Sequence, residues 1–167
     1  MTGTVYQTML KRRSIRRYTS QPLTSEQVTR LLEAAMAAPS GHNKQPWHFV
    51  TVTRRDLLDR LAEVHPYARM LRQAPLGIAV CGEPASEFWV QDCAAATENI
   101  LLAAVEEGLG AVWCGVHPHP ELEEPVRQVL GIPREITPFC LIAVGHPAEE
   151  KEPRTQYREE KVHREGW

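Results

Sequence analysis

The 167-residue sequence predicts an α+β fold in a single domain. Segments whose apolar residues recur at helical spacing are interspersed with short segments rich in β-branched residues, and one long helical segment is apolar on nearly every side. The composition, 43% hydrophobic and 24% charged, is that of an ordinary globular domain. We expect about four strands and five or six helices around one core.

The first half of the chain contains a helix with a clear start signal. Thr24 and Gln27 form a capping-box pattern, and apolar residues at helical spacing continue from there to Pro39. A short helix is expected before the basic segment that begins at Lys11. The later segments are a half-buried strand at 47–53, a helix carrying Leu57, Leu58 and Leu61, and a buried strand at 76–81.

The second half contains the long apolar helix, predicted over residues 88–107 with Gly108 as its C-terminal cap. Such a helix is difficult to cover on every side in a small monomer, which favours a two-fold interface between copies of the chain. The remaining segments are a strand at 111–116, a helix at 121–130 between Pro120 and Gly131, and a strand at 139–144.

The charge balance excludes some functions. A net charge of -2 provides no global field toward nucleic acid or anionic membranes, so we expect neither as a partner. No apolar segment has the length of a signal-peptide core or a bilayer span, which indicates a cytoplasmic protein.

The cysteines and histidines do not predict a metal site. The four cysteines lie in apolar surroundings without a C-x-x-C motif, so we expect buried, reduced thiols. His117 and His119 could ligate a metal, but His119 before Pro120 is more typical of a helix start. Exposed or helix-capping positions are expected for His65, His146 and His163.

The densest charge in the body lies at residues 11–17, where five cations surround Ser14. Guanidinium groups bind phosphate through paired hydrogen bonds, and serine adds another donor. This segment therefore indicates either a site for a phosphorylated ligand or a solvated basic turn.

A second candidate site is the loop at residues 39–47, between the first long helix and the first strand. Pro39 and a glycine favour an irregular backbone with exposed N–H groups. Asn43 and Gln45 each offer a donor and an acceptor, as the edge of a planar heterocycle requires. A simple helix-to-strand turn is the alternative interpretation.

The composition changes near Gly145, where a strongly charged tail begins. Most residues from 149 to 165 are charged, yet Tyr157 and Trp167 are aromatic. The tail is either a frayed terminus or an arm that becomes ordered against another surface, and the aromatic residues favour the arm.

Several motifs in this order resemble the FMN-dependent nitroreductases, in particular the short members of that family. The matching segments are 12–18 (RRSIRRY), 38–47 (APSGHNKQPW), 66–71 (PYARML), 91–104 (QDCAAATENILLAA), 111–115 (AVWCG) and the tail ending at Trp167. The resemblance covers nearly the whole chain. It implies a mostly antiparallel sheet flanked by helices, with a core at residues 1–147 and an arm at 148–167 that packs on the partner subunit.

The resemblance also implies which residues bind FMN. Arg12, Arg13, Ser14 and Arg16 would hold the phosphate and the polar side of the flavin, and Arg69 would face the ring. The loop would line the flavin, in this family often from the partner subunit, and the end of a strand would approach N5 through its backbone. The implied residues in these two segments are Pro39, Ser40, Asn43, Gln45, Trp113, Cys114 and Gly115.

The arm departs from the family pattern in one respect. A basic residue, a spacer and an arginine are usual there, whereas this chain has Arg154 followed by Gln156. Arg158 could replace the missing cation.

The implied function is a homodimeric oxidoreductase with FMN at the subunit interface. It would transfer hydride from NADH or NADPH to a small electron-poor acceptor, such as a nitroaromatic or a quinone, by a ping-pong mechanism. Two alternatives are a non-catalytic FMN-binding or ligand-sensing protein and a phosphate binder without flavin.

Overall fold

A four-stranded antiparallel sheet with the order β1-β2-β4-β3 forms the centre of the computed structural model, which describes residues 5–167. The strands are β1 (Trp47–Val52), β2 (Leu76–Gly82), β3 (Gly110–Gly115) and β4 (Thr137–Gly145). The helices in this part of the chain are α1 (Val5–Lys11), α2 (Ser25–Met36), α3 (Arg55–Val64), α4 (Trp89–Glu106) and α5 (Pro120–Leu130). Short 3-10 turns occupy Gly41–Asn43, Arg69–Arg72 and Glu159–Lys161. The predicted α+β class is confirmed.

Local sequence signals account for the helix ends. The Thr24 hydroxyl accepts the Gln27 N–H at 3.1 Å, and the Gln27 side chain accepts the Thr24 N–H at 3.0 Å, so the capping box is complete. Helix α5 begins at Pro120 and is closed by Gly131 in a left-handed conformation. The predicted ends of the elements therefore agree with the structure to within one or two residues.

The core lies on both faces of the sheet. Because side chains alternate along a strand, Ile78 and Val80 of β2 face α2 and α4, whereas Ala79 and Cys81 face α3 and α5. Burial on both faces explains why β2 is apolar throughout. Helix α4 packs on the sheet and also contacts α1 and α2, which is why so much of its circumference is apolar.

The basic segment is held at the edge of the sheet beside β3. Ile15 donates its N–H to the carbonyl of Ala111 at 3.0 Å, and the buried Tyr18 hydroxyl donates to the carbonyl of Ala143 at 3.0 Å. A Cβ on Gly110 would lie 2.7 Å from the Ile15 side chain, and one on Gly145 would lie 2.9 Å from the Tyr18 ring. Glycine at these two positions therefore lets the segment approach the sheet.

After β4 the chain returns along the basic segment of the same molecule. Thr19 donates to the carbonyl of His146 at 2.9 Å, Ala148 to that of Arg17 at 2.8 Å, and Arg154 to that of Leu10 at 3.0 Å. We call residues 146–154 the strap. From residue 155 onward the side chains are exposed, including Tyr157 and Trp167.

The predicted division at residue 147 thus falls within the strap. Packing of residues 148–167 on a partner subunit stays a prediction, and the first residues of this range contact their own chain. Residues 1–4 of the predicted core lie outside the described residues.

The four cysteines should be unreactive in the folded protein. All are buried and free, and burial raises the pKa of Cys81 and Cys93 to about 12 and that of Cys114 to about 11, and also raises that of Cys140. Because the thiolate is the reactive form, a disulfide reagent at pH 8 should label none of them within minutes in native protein and all four in denaturant. Rapid labelling of any thiol in native protein would contradict this packing.

Candidate functional site

A cavity of about 410 Å³ lies where the basic segment, the turn after α3 and the end of β3 meet. Its lining is Arg16, Pro66, Tyr67, Arg69, Met70, Val112, Trp113, Cys114 and Gly115. Five of the residues predicted for the flavin site, drawn from three separate segments of the sequence, therefore border one space.

Two cations, Arg16 and Arg69, give this cavity a positive rim. The strap bonds to the backbone at Arg16 and Ser14. The Arg16 N–H donates to a Glu149 carboxylate oxygen at 2.5 Å, and the Lys151 ammonium donates to the carbonyl of Ser14 at 2.6 Å. The Arg16 N–H is also the main reason that the pKa of Glu149 is lowered. The strap thus keeps Arg16 at the cavity edge, where it can attract an anion.

Gly115 provides an open surface within the cavity. It is exposed at the end of β3, and no heavy atom lies within 4 Å of the position that a Cβ would occupy. A flat ligand could therefore approach the backbone at this residue closely, whereas any side chain here would project into the space that the ligand needs.

The neighbouring Cys114 thiol is a packing group. Its sulfur lies 3.4 Å from the carbonyl oxygen of Tyr67 and 3.9 Å from the sulfur of Met70. Because burial raises the pKa of Cys114 to about 11, the thiol is protonated at neutral pH. The geometry therefore argues against a nucleophilic role.

The tryptophans and Tyr67 lie at different distances from the cavity. Trp113 is half-buried, and its ring lies 5.5 Å from the ring of Phe139. Trp47 and Trp89 are buried in the core on the α4 face of the sheet. Tyr67 lies in the matching motif at 66–71 but had no predicted role, and it is 77% exposed and lines the cavity.

His65 occupies a helix-capping position, one of the two alternatives predicted for it, because it is the C-cap residue of α3. Its side chain is completely buried, which was not predicted. Its Nε2 lies 2.8 Å from the carbonyl oxygen of Gly115, and its Nδ1 accepts the Tyr67 N–H at 3.2 Å. No local sequence pattern predicts the contact between His65 and Gly115, because these residues are 50 positions apart in the chain.

Other predicted cations lie outside the cavity lining. Arg12 forms an ion pair with Glu98 at 3.4 Å. Arg13 donates to the carbonyl of Glu152 and lines a neighbouring cavity of about 230 Å³. Arg154 is exposed beside α1, where its backbone bonds to Leu10. The basic segment thus presents cations to more than one surface.

The loop at residues 39–47 is well organised but contributes nothing to the cavity lining. Ser40 accepts the Gln45 N–H at 3.0 Å, and the Gln45 side chain donates to that of Asn43 at 3.1 Å. Gly41 donates its N–H to the buried carboxylate of Asp92 at 3.0 Å, which ties the loop to α4.

The backbone of this loop is unusual. Asn43 and Gln45, like His42, adopt left-handed backbone conformations, and Pro39 is exposed. Non-glycine residues hold such conformations only where surrounding contacts impose them.

A larger cavity of about 550 Å³ lies elsewhere, between β1 and the segment after α5. Its lining is mostly apolar, and its charged residues are Glu83 and Glu135, without a lysine or arginine. Two carboxylates disfavour a phosphorylated ligand, so the cationic cavity is the better candidate.

Residues 5–167 contain neither a metal-binding cluster nor a membrane-spanning helix. No group of three or more His, Cys, Asp or Glu side chains in this range is arranged to hold a metal ion. His117 pairs with Glu123 at 2.8 Å, and His119 occupies the N-cap position of α5. No helix of the described chain is both long and apolar enough to cross a bilayer.

An antiparallel α+β fold with a cationic cavity at the end of β3 is the architecture that the family resemblance implied. The sequence profile of the Nitroreductase family matches residues 9–66 and 62–146. The chain therefore belongs to the nitroreductase family, as its motifs indicated.

Individual relatives match over almost the whole chain. A Methanothermobacter thermautotrophicus protein, provisionally named NADH dehydrogenase/NAD(P)H nitroreductase, is 42% identical over 167 residues, covering 98% of this chain and 87% of the relative. A crystal structure with the same provisional name from Bacteroides thetaiotaomicron VPI-5482 has a TM-score of 0.96 and 42% identity, covering 99% of this chain and 100% of the other. A Desulfovibrio desulfuricans structure, provisionally named a nitroreductase and determined in complex with FMN, has a TM-score of 0.83 and 33% identity, covering 100% and 99%.

The bond between Glu149 and Arg16 is directly testable. Replacing Glu149 with alanine should accelerate amide exchange at Arg16 and lower the free energy of unfolding by about 1 kcal/mol at pH 7. Because the pKa of Glu149 is lowered in the folded protein, the carboxylate stabilises the fold above the unfolded-state pKa. This difference between wild type and variant should therefore vanish as the pH falls through the lowered pKa.

Glu150→Ala is the matched control, because Glu150 is exposed one residue further along the strap. Equal effects of the two substitutions would show that only general charge matters, and would contradict the proposed contact.

Proposed function

We propose that the cationic cavity beside Gly115 is the FMN site of an oxidoreductase that reduces small electron-poor acceptors. The protein is an NAD(P)H-dependent flavin oxidoreductase of the nitroreductase type and uses FMN. The observation that carries the assignment of the site is the juxtaposition of Arg16 and Arg69 with the open backbone of Gly115.

The residues present fit the chemistry of FMN. The volume of about 410 Å³ is typical of a small-molecule site, and the open space at Gly115 admits the edge of a planar ring. Arg16 lines the cavity and would hold the phosphate and the polar side of the cofactor, together with Arg12 and Ser14 of the same basic segment, which are outside the lining within one chain. Arg69 would face the pyrimidine part of the ring. Guanidinium and hydroxyl groups suit these roles because they donate hydrogen bonds to phosphate and carbonyl oxygens.

Bound FMN supplies two-electron chemistry between NAD(P)H and an acceptor. The chain's own contribution is electrostatic and steric. The guanidinium of Arg69 would stabilise negative charge on a ligand ring, and a preorganised cation needs no rearrangement when that charge develops. The neutral Cys114 thiol supports the strand end, and Gly115 leaves one side of the pocket accessible to donor and acceptor in turn.

We further propose that two chains complete the site. The loop residues Pro39, Ser40, Asn43 and Gln45 do not line the cavity of their own chain, and the loop of a second chain could reach it. The surface of α1, α2 and α4 provides a docking face, because a groove of about 510 Å³ between these helices is mostly apolar. Exposed apolar residues adjoin it on α1 and α2, namely Val5, Tyr6, Met9 and Met36.

The exposed end of the chain, residues 155–167, would then pack on the second chain. Tyr157 and Trp167 are exposed aromatic side chains that such a contact would bury. Arg154 or Arg158 would add a cation near the phosphate, in compensation for Gln156. The interface would hold two copies of the site.

The test of this function is reduction of the protein-bound flavin. We expect purified protein with FMN to be yellow, and to bleach when NADH or NADPH is added without oxygen. A quinone or nitroarene should restore the colour, and steady-state double-reciprocal plots should be parallel because donor and acceptor use one site in turn. Intersecting lines would contradict the shared site.

Two other results would favour the alternatives. Yellow protein that neither nicotinamide cofactor bleaches would indicate a non-catalytic flavin binder or sensor. Protein that stays colourless with added FMN would indicate a phosphate binder and overturn the proposal.

The Gly115 surface provides a sharper test of the site. Gly115→Val should fold normally without ligand, since no atom opposes the new side chain, yet should lose most FMN binding and activity. Cys114→Ala is the matched control at the next residue and should keep most activity, because the thiol is neutral and only packs. An inactive Cys114→Ala beside an active Gly115→Val would make the thiol a participant and would exclude this arrangement.

The role of the arm can be separated from that of the strap by two truncations. A chain ending at Thr155 keeps the strap contacts, and should be less dimeric and bind FMN more weakly because Tyr157 and Trp167 are absent. A chain ending at Glu149 also loses the Lys151 and Arg154 contacts, and should be depleted of flavin further. Hydrodynamic size and bound-flavin content are the measurements. If the chain ending at Thr155 remains a dimer with full FMN affinity, the terminus is merely frayed.

A further inference from the structure

We infer that His65 is a positioning residue that fastens the two walls of the cationic cavity to each other. One wall is the turn at residues 66–70 and the other is the end of β3 at Gly115. The inference rests on the proposed function only in taking the ligand of this cavity to be FMN. The link between the walls is a property of the protein alone.

The imidazole ring spans the gap between the walls through both of its nitrogens. On one side, Nδ1 accepts the Tyr67 N–H at 3.2 Å, and on the other Nε2 lies 2.8 Å from the Gly115 carbonyl oxygen. The turn also closes on the His65 backbone, whose carbonyl accepts the Ala68 N–H at 3.1 Å. The ring is therefore a hydrogen-bonded bridge between the turn that carries Arg69 and the open backbone surface, in addition to the packing of the Cys114 sulfur against Tyr67 and Met70.

These partners specify the protonation form of the ring. A backbone N–H can only donate, so Nδ1 must be the acceptor and carry no proton. A neutral imidazole then has its proton on Nε2, which donates to the Gly115 carbonyl. The opposite tautomer would place two donors against each other at Tyr67 and two acceptors against each other at Gly115.

The bridge fixes one peptide group at the edge of the cavity. His65 holds the carbonyl of the peptide between Gly115 and Val116, while the Val116 N–H donates to the carbonyl of Phe139 at 3.0 Å. Both ends of this peptide are thus held, so the Gly115 surface cannot rotate freely. A leucine or phenylalanine could fill the same buried volume, but neither could satisfy the carbonyl or the N–H.

The binding test compares three single variants in the FMN-loaded protein. His65→Phe keeps a flat ring without hydrogen bonds, and we expect FMN affinity to fall about 10-fold with a shifted midpoint potential of the bound flavin. His65→Gln retains an amide donor and acceptor and should recover part of both properties. His48→Phe is the matched control, because His48 is half-exposed, pairs with Glu83 and lines the other large cavity.

The second measurement determines which nitrogen of the His65 ring carries the proton in ligand-free protein. Two-bond proton–nitrogen correlation spectra of ¹⁵N-labelled protein should show His65 protonated on Nε2 and unprotonated on Nδ1. A proton on Nδ1 would overturn the inference. So would a His65→Phe protein that matches wild type in FMN affinity and midpoint potential.

The two proposals fail in different ways. If wild-type protein binds no FMN, the proposed function fails, and the tautomer of His65 still decides whether the ring joins the two walls. If His65→Phe does not fold, the tautomer of His65 in the wild-type protein still shows whether the ring bonds to both Tyr67 and Gly115.

Discussion

The site depends on the docking of an irregular basic segment against the edge of the sheet. Residues 12–19 have no helix or strand of their own to fix them. Ile15 and Tyr18 anchor the segment in the spaces that Gly110 and Gly145 leave open. Side chains at those two glycines would displace the anchors. Arg16, which would otherwise move freely in solvent, is thereby held beside the cavity at the end of β3.

The rest of the site follows from this placement. The strap covers the basic segment and bonds to its exposed backbone groups, so the charge of Arg16 is fixed without being buried. On the opposite side, the turn after α3 brings Arg69 and Tyr67 to the same cavity, and His65 connects that turn to Gly115. A pocket with fixed cations and an open glycine surface suits a cofactor that is phosphorylated at one end and planar at the other. The polar loop after α2 is not part of the lining of this pocket within one chain, which is the reason for our proposal that a second copy completes the site.

Local signals in the sequence were sufficient to predict the elements, because the capping box at Thr24, Pro120 with Gly131, and the alternating or continuous apolar segments act over short distances. The grouping of Arg16, Arg69 and Gly115 came from resemblance to a family, since no spacing rule joins such distant segments. The strap and the burial of His65 were not predicted. The strap and the buried His65 are both held by hydrogen bonds to backbone groups that are distant in sequence. Such hydrogen bonds produce no periodic pattern in the sequence. The sequence also did not reveal that Arg12 and Arg13 are outside the lining of the cavity that Arg16 lines.

Amide hydrogen exchange of the wild-type protein, with and without saturating FMN, tests most directly whether FMN binds in the cationic cavity. If it does, exchange should slow in three separated segments, residues 12–17, 66–70 and 112–116, together with the loop at 39–45 if a second chain completes the site. Exchange at residues 48–50 and 130–136, which line the larger apolar cavity, should not change. Protection confined to that larger cavity, with none in the three segments, would show that FMN does not bind in the cationic cavity.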